Sequence, residues 1–378
     1  MVKRLLIPPA LALIAPLTPA MAAEQDPFSF NMTQGVTATS YDAFNLHMLL
    51  FWVCLIIGVV VFAAMAWSLV RHRRSRGAVA AKFHESTAIE IIWTLVPALI
   101  LIAIAIPATM VLVAENAQPA KPDVIVDVQG SQWKWHYKYP DQDISFFSNL
   151  ATSSRDASQL GAKEQPSSAP YYLLNVDNPM VVPVGKTVQI RVTSDDVIHS
   201  WWVPQLGFKT DAIPGKINNM TFVVSKPGMY RGQCAELCGA GHAFMPIVVK
   251  AIMPAAFADW VQKEKAAAAA TKADAAGPWD MKIAMAQGGK VYGSTCSACH
   301  QANGQGIKGT FPALDGMKLS VKDHIHIVVH GSKKNPAMQA YGKQLSDRDI
   351  AAVITYERNS WNNHTGDLIT PKEVEAAR

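Results

Sequence analysis

The sequence predicts a multi-domain chain: a membrane-spanning helical hairpin, then an antiparallel β-sandwich, then a small all-α domain. Three observations predict it. Two long apolar runs stand before residue 115, short β-rich runs recur from Pro122 to Pro254, and a separate segment follows an alanine-rich stretch at Trp279. At 378 residues, half of them apolar, the chain can bury more than one core.

The opening MVKRLLIPPALALIAPLTPAMAA places Lys3 and Arg4 before a short apolar stretch that ends in the small residues Ala20 and Ala22. Residues 1–22 therefore read as a secretory signal, with an uncleaved first membrane helix as the alternative. The apolar stretch is shorter than the ~20 residues that a span requires.

The runs from Leu46 to Val70 and from Ala88 to Val113 are long enough, and neither carries charge through its centre, so residues 39–115 read as two spanning helices. Between them RHRRSRG carries four arginines and marks the cytoplasmic side. The reading is a two-pass membrane protein, in contact with lipid, with both termini outside the cytoplasm. The net charge of +5 comes mostly from that arginine loop, so no nucleic-acid partner is inferred.

Residues 120–255 change to short β-rich runs: VIVDVQ, WKWHYKY, YYLLNV, TVQIRV, MTFVV and MPIVVKAI. Turn signals such as PVGK, IPGK and KPG separate them, which predicts an antiparallel sandwich or barrel. The polar stretch from Asp141 to Ala169 reads as a surface insertion.

Five cysteines are present: Cys54 in the first span, and two spaced pairs, Cys234 with Cys238 and Cys296 with Cys299. Cys54, without a nearby partner, reads as a buried apolar residue. Outside the cytoplasm paired cysteines usually become disulfides. The loop RGQCAELCGAGHAFMP, however, adds His242 and Met245 to the first pair, and His199 stands upstream in VIHSWW. A disulfide leaves these three without a role. Zinc accepts two thiolates and two imidazoles but gains nothing from a thioether. Copper uses every group, and the second thiolate suits two bridged coppers better than one.

Here the sequence resembles a known family. CAELCGAGHAFM is similar to the binuclear copper A loop of subunit II of haem-copper cytochrome c oxidases, and HSWWVPQLGFKTDAIPG, GSQWKWHYKYP and IEIIWTLVP match further segments of it. The resemblance runs from about Thr39 to Ala255 and implies a cupredoxin-like sandwich. It makes Cys234 and Cys238 bridging thiolates, with His199 and His242 on one copper each. Met245 becomes a weak ligand and the Glu236 carbonyl another, while the Glu236 side chain reaches a magnesium ion facing subunit I. Trp133 becomes the electron entry point, whereas Trp135 and Tyr137 read as packed aromatics. Glu90 is implied near the mouth of a proton path into subunit I; as an alternative, Thr87 and Glu90 read as a capping box.

The alanine-rich residues 263–278 read as a tether of moderate stiffness. Residues 279–364 follow, with CSACH at Cys296 to His300. This is the CxxCH of covalent haem attachment, and His300 is placed to bind the iron. A thioredoxin-like CxxC is the alternative, without a βαβ pattern to support it. AQGGKVYGSTCSACH resembles the first helix of class I cytochromes c, with Gly288 or Gly289 and Tyr292 at helix-packing positions. That resemblance implies a distal methionine from the loop before the last helix, hence Met338, ahead of Met317, His324, His326 and His330. The three histidines read as solvent-facing, and Ser346 as the N-cap of the last helix.

Together these features resemble a caa3-type subunit II with a fused cytochrome c. The resemblance implies subunits I and III as partners and a soluble cytochrome c or another donor upstream. A quinol oxidase subunit II and a tethered carrier serving another terminal reductase are the rival readings.

Overall fold

The computed structural model describes residues 30–79, 82–116, 121–158, 164–275, 277–335, 337–342 and 344–378. The expected signal over residues 1–22 lies outside them.

Helices α1 (Ala38–Arg71) and α2 (Thr87–Glu115) are each long and apolar enough to cross a membrane, and they pack on one another. Their remaining surface is exposed, as the outside of a hairpin that meets lipid or other subunits must be. Cys54 belongs to this exposed surface, so the expectation of burial is wrong for the chain by itself. The Thr87–Glu90 capping box also fails. Ser86 occupies the N-cap position without a side-chain cap, so Glu90 falls one residue beyond the third helical position.

Helix α1 does carry a capping box. The Ser40 amide donates to Thr37 Oγ1 (3.1 Å) and the Thr37 amide to Ser40 Oγ (2.9 Å), while the Thr37 hydroxyl donates to the Leu206 carbonyl (2.7 Å). The entry to the first span is thereby tied to the sandwich, and Val36 joins the sandwich core.

Ten strands form that sandwich: β1 (Val124–Ser131), β2 (Lys134–Tyr139), β3 (Ile144–Ser148), β4 (Met180–Pro183), β5 (Thr187–Ser194), β6 (His199–Val203), β7 (Phe208–Ala212), β8 (Asn218–Val223), β9 (Gly228–Cys234) and β10 (Pro246–Ile252). One sheet has the order β3-β2-β1-β5-β8, the other β4-β10-β9-β6-β7. The β1–β5 and β4–β10 pairs are parallel, so the sheets are mixed where an antiparallel sandwich was expected. Alternating burial along β1 and β5 points Val124, Val126, Val128, Val188, Ile190 and Val192 inward. Trp135 and Tyr137 are fully buried between the sheets, as their reading required.

Two stretches differ from expectation. Asp141 to Ala169 contains the edge strand β3 and the short helix α3 (Thr152–Ala157), so it is more than a surface insertion. YYLLNV forms no strand, because Tyr171 and Leu173 take left-handed backbone (φ 51° and 59°).

Helix α4 (Pro254–Ala275) continues from β10 and packs Phe257, Trp260 and Val261 on the sandwich. The segment expected to be a tether is thus helical as far as Ala275.

The last domain comprises α5 (Met281–Val291), a π-helical turn (Tyr292–Cys296), α6 (Ser297–His300), α7 (Val321–His330), α8 (Asp347–Asn359) and α9 (Pro371–Glu375). Ser346 caps α8 by accepting from the Asp349 amide. Helices α5 and α8 cross with their backbones in contact at Gly288, where a Cβ would strike the Ala352 carbonyl. Only glycine fits there. Tyr292 packs on Tyr356 and Trp361 in the same core. Ile369 and Val374, beyond the expected end at residue 364, belong to this core as well.

Candidate metal centre and cofactor cavity

The loop between β9 and β10 carries the cluster. Cys234 ends β9, Cys238 and His242 follow in the turn, and Met245 precedes β10. His199 begins β6, whose Trp201 pairs with Cys234 across the sheet. Sequence neighbours and a cross-strand residue therefore meet: the ligand atoms of His199, Cys234 and Cys238 lie within 4.8 Å of one another, all three residues buried. Around them, Cys234 Sγ is 3.8 Å from Cys238 Sγ, and Cys238 Sγ is 3.5 Å from His242 Nδ1 and 3.6 Å from Met245 Sδ. The Glu236 carbonyl lies 3.3 Å from Cys234 Sγ. All six sequence-predicted metal residues thus converge.

Electrostatics fit a soft cation here. The two thiols are not joined as a disulfide. They share a charge: the hydrogen bond from Cys238 pulls Cys234 far below the usual thiol range, and the Cys234 thiolate holds Cys238 far above it. His199 loses stability as a cation by burial, but the hydrogen bond to Asp196 and the negative charge of nearby Cys234 outweigh this and raise its pKa. Its Nε2 donates to Asp196 Oδ1 (2.9 Å), while its Nδ1 is buried without a hydrogen-bond partner. A buried nitrogen left open, on a ring whose other nitrogen is held by a carboxylate, is the usual arrangement of a metal-binding imidazole.

Trp133 covers this loop. Its indole N–H donates to the Cys238 carbonyl (3.1 Å), which also accepts from Gln132 Nε2 (2.8 Å). Gly241 lies against the indole, where any Cβ would overlap the ring. On the far side the Trp133 ring meets Phe311 edge to face, centroids 6.2 Å apart.

Phe311 belongs to the wall of a cavity of about 320 Å³ in the last domain, shared with Cys296, Cys299, His300, Met317 and Met338. His300 Nδ1 bonds the Pro312 carbonyl (2.9 Å), which leaves Nε2 free for a metal in the cavity. Burial raises the Cys296 thiol well above its usual range, with Glu357 adding to the effect, and pushes Cys299 up to about 11. Cysteines destined for thioethers need no thiolate in the finished protein. The cavity and its Cys-Cys-His set fit a covalent haem.

His324 corrects the expectation of a solvent-facing helix. It is buried on the cavity wall with Nε2 on Glu357 Oε2 (2.8 Å). His330 binds the Ala377 carbonyl (2.8 Å), and His326 packs on His330. Asp196, Phe311, Pro312 and Glu357 escaped the sequence reading. Only Asp196 left a local sign, three residues before His199.

Comparison with known proteins decides the family. Residues 124–252 match the cytochrome c oxidase subunit II periplasmic domain and residues 25–111 its transmembrane domain, while residues 283–356 match the cbb3-type cytochrome c oxidase subunit III family. Cytochrome c oxidase subunit 2 of Cereibacter sphaeroides is 39% identical over 225 residues, covering 57% of this chain and 74% of that protein. The chain belongs to the cytochrome c oxidase subunit II family. The subunit 2 of Triticum aestivum is 35% identical over 248 residues, covering 66% of this chain and 94% of its own length. The crystal structure of the periplasmic domain of subunit II of Bradyrhizobium japonicum is 41% identical, covers 39% of this chain and 97% of that one, and has a TM-score of 0.34.

Membership of the subunit II family makes this chain a two-span membrane component of an oxidase complex, with a role in electron transfer and other oxidase subunits around it. Its sandwich is cupredoxin-like and its last domain a cytochrome c domain. The family implies copper A, and the cytochrome c domain implies haem.

Proposed function

We propose that this chain is the electron-entry subunit of an aa3/caa3-type cytochrome c oxidase. It takes electrons from a soluble cytochrome c or another donor at its own haem c and delivers them through copper A to the oxygen-reducing site of subunit I, coupled to proton translocation. Cys234 and Cys238 would bridge two coppers, with His199, His242, Met245 and the Glu236 carbonyl completing the set. Cys296 and Cys299 would attach the haem, with His300 and Met338 as axial ligands. Two coppers sharing thiolates spread one electron over both metals and change little in geometry when oxidised.

The observation that carries this reading is the line Phe311, Trp133, Cys238. It joins the wall of the haem cavity to a metal-site thiol through a ring contact and one hydrogen bond. Trp133→Phe keeps an aromatic ring, though a smaller one, and removes the indole N–H. Copper reduction by the haem domain is expected to slow on the order of tenfold, the equivalent of one hydrogen bond, with both spectra intact. An unchanged rate in a rapid-mixing experiment would remove Trp133 from the path.

Further parts of the proposal rest on exposure. Glu236 is exposed beside Leu237, which is 79% exposed, as a side chain reaching a magnesium ion at the subunit I boundary requires. Glu90 makes no cap and stays exposed in the first turn of α2, where it is open to a proton path into subunit I. The arginine loop orients the hairpin so that both termini and both redox domains face the periplasm of a bacterial inner membrane. Subunit III and lipid complete the surroundings.

Purification in mild detergent tests the whole. Copurification with a haem-copper subunit, copper and haem in the preparation, and cyanide-sensitive oxygen uptake are expected. Covalent linkage keeps the haem domain at an effective concentration near ~1 mM beside the copper site, so the haem-to-copper step should depend weakly on salt. A preparation without the haem-copper subunit would favour a tethered carrier serving another reductase. One with zinc or a disulfide at Cys234 and Cys238 would defeat the copper reading, and the intact ligand set already speaks against a quinol oxidase subunit.

A further inference from the structure

Beyond the Phe311–Trp133 ring contact, the haem domain meets the copper domain at further points. Gln339, the residue after Met338, donates from Nε2 to Asp196 Oδ2 (2.6 Å) and lies 3.4 Å from Gln132 Oε1. The other Asp196 oxygen holds His199, and the Gln132 amide donates to Oδ2 (2.8 Å). One carboxylate thus fastens a metal-site imidazole, the residue beside Trp133, and the loop that carries the candidate distal methionine.

Lys134 adds a second fixing point. It is 5% exposed, and its ammonium lies 4.8 Å from the Phe147 ring of the sandwich and 4.9 Å from the Tyr341 ring of the haem domain. A cation between two aromatic faces, one from each domain, attracts both.

We propose that Gln339 is a positioning residue that latches the haem domain onto Asp196, with Lys134 between Phe147 and Tyr341 as its second point, so that this chain's own haem domain occupies the electron-entry face. The proposal rests on the functional reading above. It adds which residues hold the two domains in register and who occupies the face.

The physical test is the sign of the charge. Gln339→Glu sets a second carboxylate against Asp196 and repels it, whereas Gln339→Lys gives Asp196 a cation in the same place. In the purified complex, hydroxyl-radical footprinting of Trp133, Phe311 and Tyr341 should rise at least about threefold in Gln339→Glu and stay at the parent level in Gln339→Lys. Haem-to-copper transfer after flash reduction should slow about tenfold or more in the first and stay within about twofold in the second, with both absorption spectra unchanged. Parent-like footprints in Gln339→Glu, or equal behaviour of the two variants, would overturn the latch. Copper and haem content of the same samples report separately on the functional reading, since absent metal defeats that reading while the footprint still reports on docking.

Discussion

Cys234→Ser is expected to empty the sandwich of copper while the last domain keeps its covalent haem. The thiolate charge of the pair resides on Cys234, which is stabilised by the hydrogen bond from Cys238 and by the His199 ring beside it. A serine hydroxyl at that place stays neutral and offers a hard oxygen, which neither bridges nor holds soft copper. His199 and Cys238 then remain as a buried imidazole and a buried neutral thiol without a common charge to organise them. Outer-shell changes at metal sites cost ~10–100-fold in affinity or activity, so loss of a bridging ligand should exceed that. Oxygen uptake should fall by more than about a hundredfold. Metal analysis and paramagnetic resonance check the result: copper should drop to background and the delocalised mixed-valence signal should vanish, while the haem spectrum stays. Full copper with that signal intact would show that Cys234 is no ligand.

The metal site was legible because most of it is local. Four of its side chains fall between Cys234 and Met245, and a short loop closed by the β9–β10 pairing leaves them little choice but to meet. His199 needed a long-range contact, and only the family resemblance could assign it. Long-range pairing also explains the errors. Periodicity cannot tell a parallel from an antiparallel partner, so β1–β5 and β4–β10 came as corrections. YYLLNV has strand composition, but left-handed backbone at Tyr171 and Leu173 turns it into a loop whose Tyr171 ring lies under Arg231. His324 reads as polar and outward, yet its bond to Glu357 satisfies it in the core. Asp196 and Gln339 are separated by 143 residues, and nothing in either segment announces the other.

Met338→Ala should change the haem more than its attachment. The cavity also contains Met317 and His324, so three residues compete for the position opposite His300. The backbone of Met338 is fixed on both sides: its amide donates to the Asn335 carbonyl and its carbonyl accepts from the Ser332 amide, both at 2.9 Å. That loop returns to the end of α7 through Tyr341 N to Val328 O (2.9 Å), which fixes where the side chain can go. His324 has one ring nitrogen committed to Glu357 and would have to abandon a buried carboxylate or turn its other, unpartnered nitrogen to the iron. A thioether ligand raises the haem potential relative to nitrogen or water. Removing it should therefore lower the potential and abolish the methionine-to-iron charge-transfer band, with the haem still bound through Cys296 and Cys299. Every ~59 mV of lowering makes the haem tenfold harder to reduce at equilibrium, so its steady-state reduction by an upstream donor should collapse before copper is affected. Met317→Ala and His324→Asn should leave the band in place. Survival of the band in Met338→Ala, with its loss in either of the others, would move the sixth ligand to that residue.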